Sequence, residues 1–296
     1  MTATPSRPTA APGPYPHWGA EELWQSLVPM LPGLSIEIAE RLESTNTELT
    51  ERLRRIARLP SDRRDDELTP ALLVATHQTA GRGRLGRHWH AVPGASLTFS
   101  LALPIARADW SGLSLAVGLA LVEALDPHGR HLGLKWPNDL VLCDAGDEPE
   151  ARMRLGRKLG GILIESVAVG ARRVAVIGIG LNIGPLGVIE ADYGSASLGE
   201  LIPGATPQSA LARITAPLVQ ALLEFDRDGF AGRVDAYARR DVLRGQLVTT
   251  SDAALPEGVA AGVDSDGALK VTAGGHTHRV VSGEVSVRIA TRARPT

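Results

Sequence analysis

Apolar positions along this chain return with two different periods, and the changes of period divide it into elements. Leu49, Leu53 and Ile56 recur at helical spacing with charges between them, behind Ser44-Thr45-Asn46-Thr47-Glu48. Thr45 with Glu48 fits a capping box there, the hydroxyl taking an orphan N–H and Glu48 reaching back. Residues 71–75 form a short apolar run of strand type, and 95–103 alternate with period two, the pattern of a half-buried strand. Residues 111–125 are apolar almost all round and predict a central buried helix. The run 132–142 is interrupted by Lys135-Trp136-Pro137-Asn138-Asp139. Pro137 forbids a regular interior strand and turns Lys135, Asn138 and Asp139 into a polar corner. Two strands, 160–168 and 173–183, are joined by the hairpin-like Gly170-Ala171-Arg172. A helix over 207–225 shows Leu211, Ile214, Leu218 and Leu222 on one face, with Thr206 as cap and Pro207 at its first position. A short helix over 234–243 follows. From Gly245 five short strands (246–250, 258–263, 268–272, 276–281 and 284–289), separated by turn residues, predict a small β-barrel.

The stretch His77-Gln78-Thr79-Ala80-Gly81-Arg82-Gly83-Arg84-Leu85-Gly86-Arg87-His88-Trp89 follows none of these periods. Glycine lets backbone N–H groups approach a ligand, and arginine offers a permanently charged fork suited to carboxylate or phosphate. Such a loop is built to hold a small anion, and Trp89 argues against a merely solvated turn. Gly81 to Gly86 also spells G-x-G-x-x-G, but a dinucleotide fingerprint must open a helix, and here a strand follows. The string Gly178-Ile179-Gly180-Leu181-Asn182 fails the same test, because it follows a hairpin and is succeeded by Pro185. No G-x-x-x-x-G-K-[ST] is present, so no P-loop is expected.

Composition narrows the picture. The 296 residues carry a formal charge of -2, so nothing global points to nucleic acid or a membrane surface. The longest apolar run contains Glu123 and is too short to span a bilayer. Cys143 is the only cysteine, so no intrachain disulfide can form and a cytoplasmic setting is expected. Of 31 basic residues three are lysines, Lys135, Lys158 and Lys270, and the first two sit inside motifs where a compact ammonium is called for. The pairs His88 with His90 and His276 with His278 supply two ligands each, which do not make a metal site, and none is expected. Residues 1–34 hold seven prolines and are expected to form a disordered, solvated tail with at most a short helix near 21–27.

The pieces Glu43-Ser44-Thr45-Asn46, Gln78 through Trp89, Lys135-Trp136-Pro137-Asn138-Asp139, Arg157-Lys158-Leu159-Gly160-Gly161-Ile162-Leu163, Gly178 through Asn182, and Ser282-Gly283-Glu284-Val285-Ser286-Val287-Arg288 stand in one order over about residues 42–289. Together they resemble the biotin protein ligases. The resemblance implies an α/β (α+β) fold: a class II aminoacyl-tRNA-synthetase-like catalytic domain with a mixed sheet over 35–243, then an SH3-like barrel over 244–291. It implies two steps. Biotin and ATP with Mg2+ give biotinyl-5′-AMP and pyrophosphate, and a lysine of a biotin carboxyl carrier domain then takes the biotinyl group. By the same resemblance Lys158, Arg84 and Asp139 carry the catalysis, with Asp139 the candidate to accept or orient the incoming amine's proton. Ser44, Thr45, Asn46, Gln78, Arg82, Gly83, Arg84, Lys158 and Gly161 hold biotin. Arg84, Arg87, Trp89, Lys135, Asn138, Asn182, Glu284 and Arg288 face the nucleotide, the last two from the barrel.

Leu85 stands where many members have a basic residue, and the loop 143–155 is longer than expected. Many members also carry an N-terminal helix-turn-helix. Residues 1–43 hold only Arg7 and Arg41 against five glutamates, so a monofunctional ligase is expected. The rival within the same fold is a lipoate or octanoate ligase or transferase. A rival of another class is a biotin-sensing regulator.

Overall fold

The computed structural model describes residues 18–143, 156–186, 194–281 and 287–289. Its first element is the helix α1 (Ala20–Leu27), at the place of the short helix expected near 21–27, but packed rather than part of a solvated tail running to residue 34. Leu23 and Leu27 on its inner face, with Leu31 and Leu34 just after it, are buried in the main core. Four leucines at these spacings outweigh the prolines around them, because their burial offsets the ordering cost. Residues 1–17, 144–155 and Glu284 lie outside the described residues.

The strand β1 (Ser35–Leu42) and the helix α2 (Thr45–Ile56) come next. The stretch Pro60 to Thr69 reads by its charges as a loop, but most of it forms a short helix α3 (Ser61–Glu67) with no buried residue. The strands β2 (Ala71–Gln78), β3 (Gly81–Arg82), β4 (His88–Trp89) and β5 (Ser96–Pro104) lead to the helix α4 (Leu113–Leu125), buried on nearly every side as its composition predicts. Then follow β6 (Leu132–Lys135), β7 (Asp139–Leu142), β8 (Arg157–Val169) and β9 (Arg172–Asn182). The helix α5 (Pro207–Asp228) starts at the Thr206 cap.

Seven strands form one mixed sheet in the order β1-β2-β5-β9-β8-β7-β6, with β1 and β2 parallel and every other pair antiparallel. Alternate residues of the strands serve opposite faces. On one face Leu73, Ala102, Val167, Val174 and Val176 pack with Leu49 and Leu53 of α2. On the other, Leu72, Val74, Leu101 and Ile177 join the large core beneath α4 and α5. Both faces of β5 are therefore covered. Its polar positions Ser96, Thr98 and Ser100 are buried rather than solvated, which corrects the half-buried reading.

The short helix after α5 is α6 (Val234–Ala238), and it stops earlier than 243. The reason is that residues 240–242 run beside β6, with Leu134 N–H donating to the Arg240 carbonyl (2.7 Å) and Val242 N–H to the Leu134 carbonyl (3.1 Å). The strands β10 (Leu247–Thr250), β11 (Glu257–Val263), β12 (Leu269–Ala273), β13 (His276–Val280) and β14 (Val287–Ile289) then make an antiparallel sheet in the order β13-β12-β11-β10-β14. No helix is long and apolar enough to cross a membrane among the described residues.

Two buried acids behave differently at the 240–242 segment. Asp126 meets Arg240 at 3.0 Å and accepts from the backbone of His131 and Leu132, so its charge is compensated. Asp241 is fully buried; one oxygen accepts from Leu243 N–H (2.9 Å) and the other has no partner among the described residues. Burial pushes its carboxyl up to about 6, against the backbone donors of Leu243 and Arg244. The folded chain then holds a proton that the unfolded chain releases near pH 4, so this residue's contribution to stability falls as pH rises through that window. Asp241→Asn keeps an acceptor for Leu243 and removes the buried charge. Its melting temperature is expected to rise by about 5 °C at pH 7.5 and to change little at pH 4, readable by calorimetry at the two pH values.

Candidate functional site

A cavity of about 480 Å³ opens on the α2 face of the large sheet. Its floor exists because four strands carry small or short residues in register. Thr98 of β5 faces Gly180 of β9, Gly180 faces Gly161 of β8, and Gly161 faces Asp139 of β7. Two residues along, Ser100 faces Gly178, and Gly178 faces Leu163. A Cβ at Gly178 would lie 2.2 Å from Asn46 Oδ1, and one at Gly180 would lie 2.3 Å from the Trp89 ring. The second near-Rossmann string is thus a clearing in the sheet surface into which Asn46 and Trp89 fit.

One end of the cavity is a hydrogen-bonded polar cluster at the start of α2. The observed cap is Ser44, which accepts from Thr47 N–H at 3.4 Å, and Glu48 pairs with Arg52 instead of closing a capping box. Thr45 is released from capping because its side chain faces inward. Its backbone N–H and its hydroxyl both donate to Gln78 Oε1, at 2.7 and 3.1 Å. Ser100 Oγ lies 2.6 Å from both Thr45 Oγ1 and Asn46 Oδ1, and its single hydrogen can serve one of them at a time. Asn46 donates to the Leu163 carbonyl (3.2 Å) and to Glu165 (3.0 Å), and Glu165 in turn meets Arg82 at 3.1 Å.

The other end is cationic. Lys158 Nζ sits 2.7 Å from Asp139 Oδ1 and 5.9 Å from the centre of the Trp89 ring. A bulge places it there. Leu140 pairs with Gly160, but the next residue, Val141, pairs with Lys158. The extra residue, Leu159, turns into the core, and Lys158 joins Gly161, Leu163 and Glu165 on the cavity face. In an unbroken strand Lys158 would point to the other side. Arg84 reaches Asn138 Oδ1 at 3.3 Å, while Asn138 donates to the Ile162 carbonyl at 2.8 Å. Burial lowers the Arg84 guanidinium from its ordinary value, and the nearby Asp139 charge opposes that shift. Arg84 thus stays a cation held half out of water, where its field is less screened. The loop that carries it is shaped by the β3–β4 ribbon and by a 2.7 Å bond from Gly83 N–H to the Arg87 carbonyl.

Every described residue named for the site lines this one cavity: Ser44, Thr45, Asn46, Gln78, Arg82, Gly83, Arg84, Arg87, Trp89, Lys135, Asn138, Asp139, Lys158, Gly161, Asn182 and, from the barrel, Arg288. Two carry duties beyond those expected. The Asn182 amide is spent on the carbonyls of Lys158 (3.2 Å) and Ala196 (3.0 Å), so it braces the end of β8. Asp139 is held against Lys158. Ser100, Glu165, Gly178 and Gly180 were missed as site residues. The available signal was the run of polar residues at alternate positions 96, 98 and 100 within an apolar strand. Among the described residues no three His, Cys, Asp or Glu side chains gather as a metal site.

The model of the biotin/lipoate A/B protein ligase family matches residues 38–182, and that of the biotin protein ligase C-terminal domain matches residues 247–288. The biotin–[acetyl-CoA-carboxylase] ligase of Mycobacterium tuberculosis is 31% identical over 263 residues, 84% of this chain and 88% of that protein. The bifunctional ligase/repressor BirA of Escherichia coli is 31% identical over 274 residues, 90% of this chain and 78% of that protein. The structure of a biotin protein ligase from Aquifex aeolicus in complex with biotin and ATP superposes with a TM-score of 0.65 at 24% identity, covering 86% of this chain and 99% of that one. At that identity the structural likeness speaks for the fold, a mixed α/β domain followed by a small antiparallel β domain.

Proposed function

Since the chain belongs to the biotin protein ligase family, we infer that its cavity joins biotin to ATP as biotinyl-5′-AMP and passes the biotinyl group to a lysine of a biotin carboxyl carrier domain. The observation that carries this reading is the polarity of the cavity: a neutral donor–acceptor cluster at one end, Lys158 and Arg84 at the other, and Trp89 between them on a floor of glycines. A ureido ring has N–H donors and a carbonyl acceptor and suits the first end. Carboxylate and phosphate suit the second.

In the first step the biotin carboxylate attacks the α-phosphorus, and the bond to the β-phosphate oxygen breaks to release pyrophosphate. The carboxylate is ionised at neutral pH, so no base is required. The barrier lies in bringing two anions together, and fixed cations in a partly dry cavity lower it. Lys158, held by Asp139, and Arg84, held by Asn138, line the cationic end of the cavity, and in this reading both bear on the two anions. Arg87, Lys135 and Arg288 extend the positive surface along the nucleotide. In the second step the acceptor ammonium passes a proton to Asp139 or to solvent, the free amine attacks the acyl carbon, the bond from that carbon to the phosphate oxygen breaks to release AMP, and the new amide's extra proton goes to solvent. In this reading Asp139, which holds Lys158, also orients the amine. Magnesium is taken to arrive on the ATP phosphates, as phosphate-bound Mg2+ commonly does. The setting we infer is the cytoplasm.

The test is ATP–pyrophosphate exchange on the purified protein with biotin, lipoate and octanoate in parallel, followed by transfer to an apo carrier domain. Exchange with biotin alone and label on the carrier lysine are expected. Exchange with lipoate would reassign the substrate, and none with any acid would overturn the activity.

A further inference from the structure

The corner Lys135–Asp139 holds the nearest partners of both principal cations, since Asn138 meets Arg84 and Asp139 meets Lys158. Behind the corner, Trp136 is buried in the main core at the start of α4. A second cavity of about 280 Å³ lies there, lined by Arg84, Trp110, Leu115, Trp136, Asn138 and Gly267. The corner is fastened across that space by hydrogen bonds. Ser114 Oγ donates to the Pro137 carbonyl at 3.1 Å. The fully buried Trp136 donates its indole N–H to the carbonyl of Gly267 at 3.0 Å, and Gly267 belongs to the β11–β12 turn of the barrel. Gly267 has φ +81°, and a Cβ on it would sit 2.7 Å from Gly112 Cα, so the turn is pressed against the start of α4.

That turn carries two acids. Asp264 Oδ1 accepts from Asp266 N–H at 3.2 Å, and Asp266 Oδ1 accepts from Ala268 N–H at 3.0 Å. Their outer oxygens would repel each other without Arg279 of β13, which donates Nε to Asp264 at 2.5 Å and Nη2 to Asp266. Gly267 N–H donates to the Asp264 carbonyl and Asp264 N–H to the Ala268 carbonyl, both at 3.0 Å, and the exposed Arg279 guanidinium ties the two acids of this backbone-closed turn together, beside the residue that holds Trp136. We propose that Arg279 is a positioning residue: by clamping the two acids of the Asp264–Gly267 turn it steadies the carbonyl that holds the Trp136 indole, and through it sets the Lys135–Asp139 corner for adenylation. The barrel then serves the reaction in two ways, by contributing Arg288 to the wall and by holding this corner from behind. The biotin-ring end, built on α2, β2 and β5, is outside this linkage.

The proposal rests on the ligase reading, and its test has an arm independent of activity. Arg279→Gln, Arg279→Lys and Trp136→Phe are compared with the wild type as full chains, by amide hydrogen exchange and by pyrophosphate exchange kinetics. Arg279→Gln is expected to speed exchange over residues 132–142 by about tenfold and to leave residues 45–56 unchanged. It should lower kcat for adenylation by on the order of tenfold while the KM for biotin stays within about twofold. Arg279→Lys should recover most of kcat, and Trp136→Phe should reproduce the split between kcat and KM. Hydrogen exchange in Arg279→Gln that matches the wild type, or that rises evenly over the whole chain, would overturn the proposal, as would unchanged kcat. A wild type without adenylation would sink the ligase reading, and the hydrogen-exchange arm would still decide the linkage.

Discussion

Replacing Lys158 with alanine is expected to lower biotin-dependent adenylate formation by about 10²–10³-fold while the protein stays folded. The size follows from position. Lys158 is a partly buried cation 2.7 Å from Asp139 that lines the cavity, in the place proposed for the meeting of the two anions. Alanine removes that charge and also takes one cationic partner from the Asp139 carboxylate, leaving it less compensated. The two effects can be separated. If Asp139 acts mainly by holding Lys158, Lys158→Ala with Asp139→Asn will be no slower than Lys158→Ala alone, because the partner's repulsion goes with it. If Asp139 also handles the acceptor amine, the double variant will lose further activity in carrier transfer but not in pyrophosphate exchange. Unchanged exchange in Lys158→Ala would remove the residue from the mechanism.

Adding a single methyl group at Gly180 is expected to be nearly as damaging. The new carbon would stand 2.3 Å from the Trp89 ring and force Trp89 off the sheet, and with it the ribbon that carries Arg82 and Arg84. Overpacking of this kind typically costs about 1–3 kcal/mol even where the surroundings yield. Here the yielding part is the site itself, so the loss should show in ATP use, with adenylation down by about 10²-fold. Gly178→Ala presses instead on Asn46 Oδ1 at 2.2 Å and disturbs the polar cluster. It should raise the KM for biotin by at least about tenfold with a smaller change in that for ATP. The kinetics of the two variants, measured side by side, should therefore separate the ends of the cavity. A common loss in both substrates for both variants would contradict the division.

The sequence made the repeating elements legible because their signals are local. The buried α4, the β8–β9 hairpin and the Thr206 cap all declare themselves within a few residues. The site was legible in its charged and capping residues for a related reason, since arginine among glycines and Ser-Thr-Asn before a helix are unusual strings. What stayed hidden depends on pairing between distant strands. Ser100, Gly178 and Leu163 lie far apart in the chain, and only the sheet register aligns them. The bulge at Leu159 is equally silent, since regular alternation would send Lys158 to the wrong face. The Ser44 cap was misplaced by one residue because Thr45 fits the same local pattern, and only the distant Gln78 decides between them.

The lone hydrogen of Ser100 gives the polar end a sense of direction. Along Gln78, Thr45, Ser100 and Asn46 the donors and acceptors are already oriented: Thr45 donates toward Gln78, and both Asn46 amide hydrogens point away toward Leu163 and Glu165. Only the Ser100 hydroxyl can turn without breaking a neighbour's bond. A ring that offers hydrogen and lone pair in the matching order is read at the cost of one rotation. A ring of the same outline with that order reversed would require the whole chain of bonds to turn over. Molecules that fill the space equally well would thus be told apart by the sequence of charge around their edge.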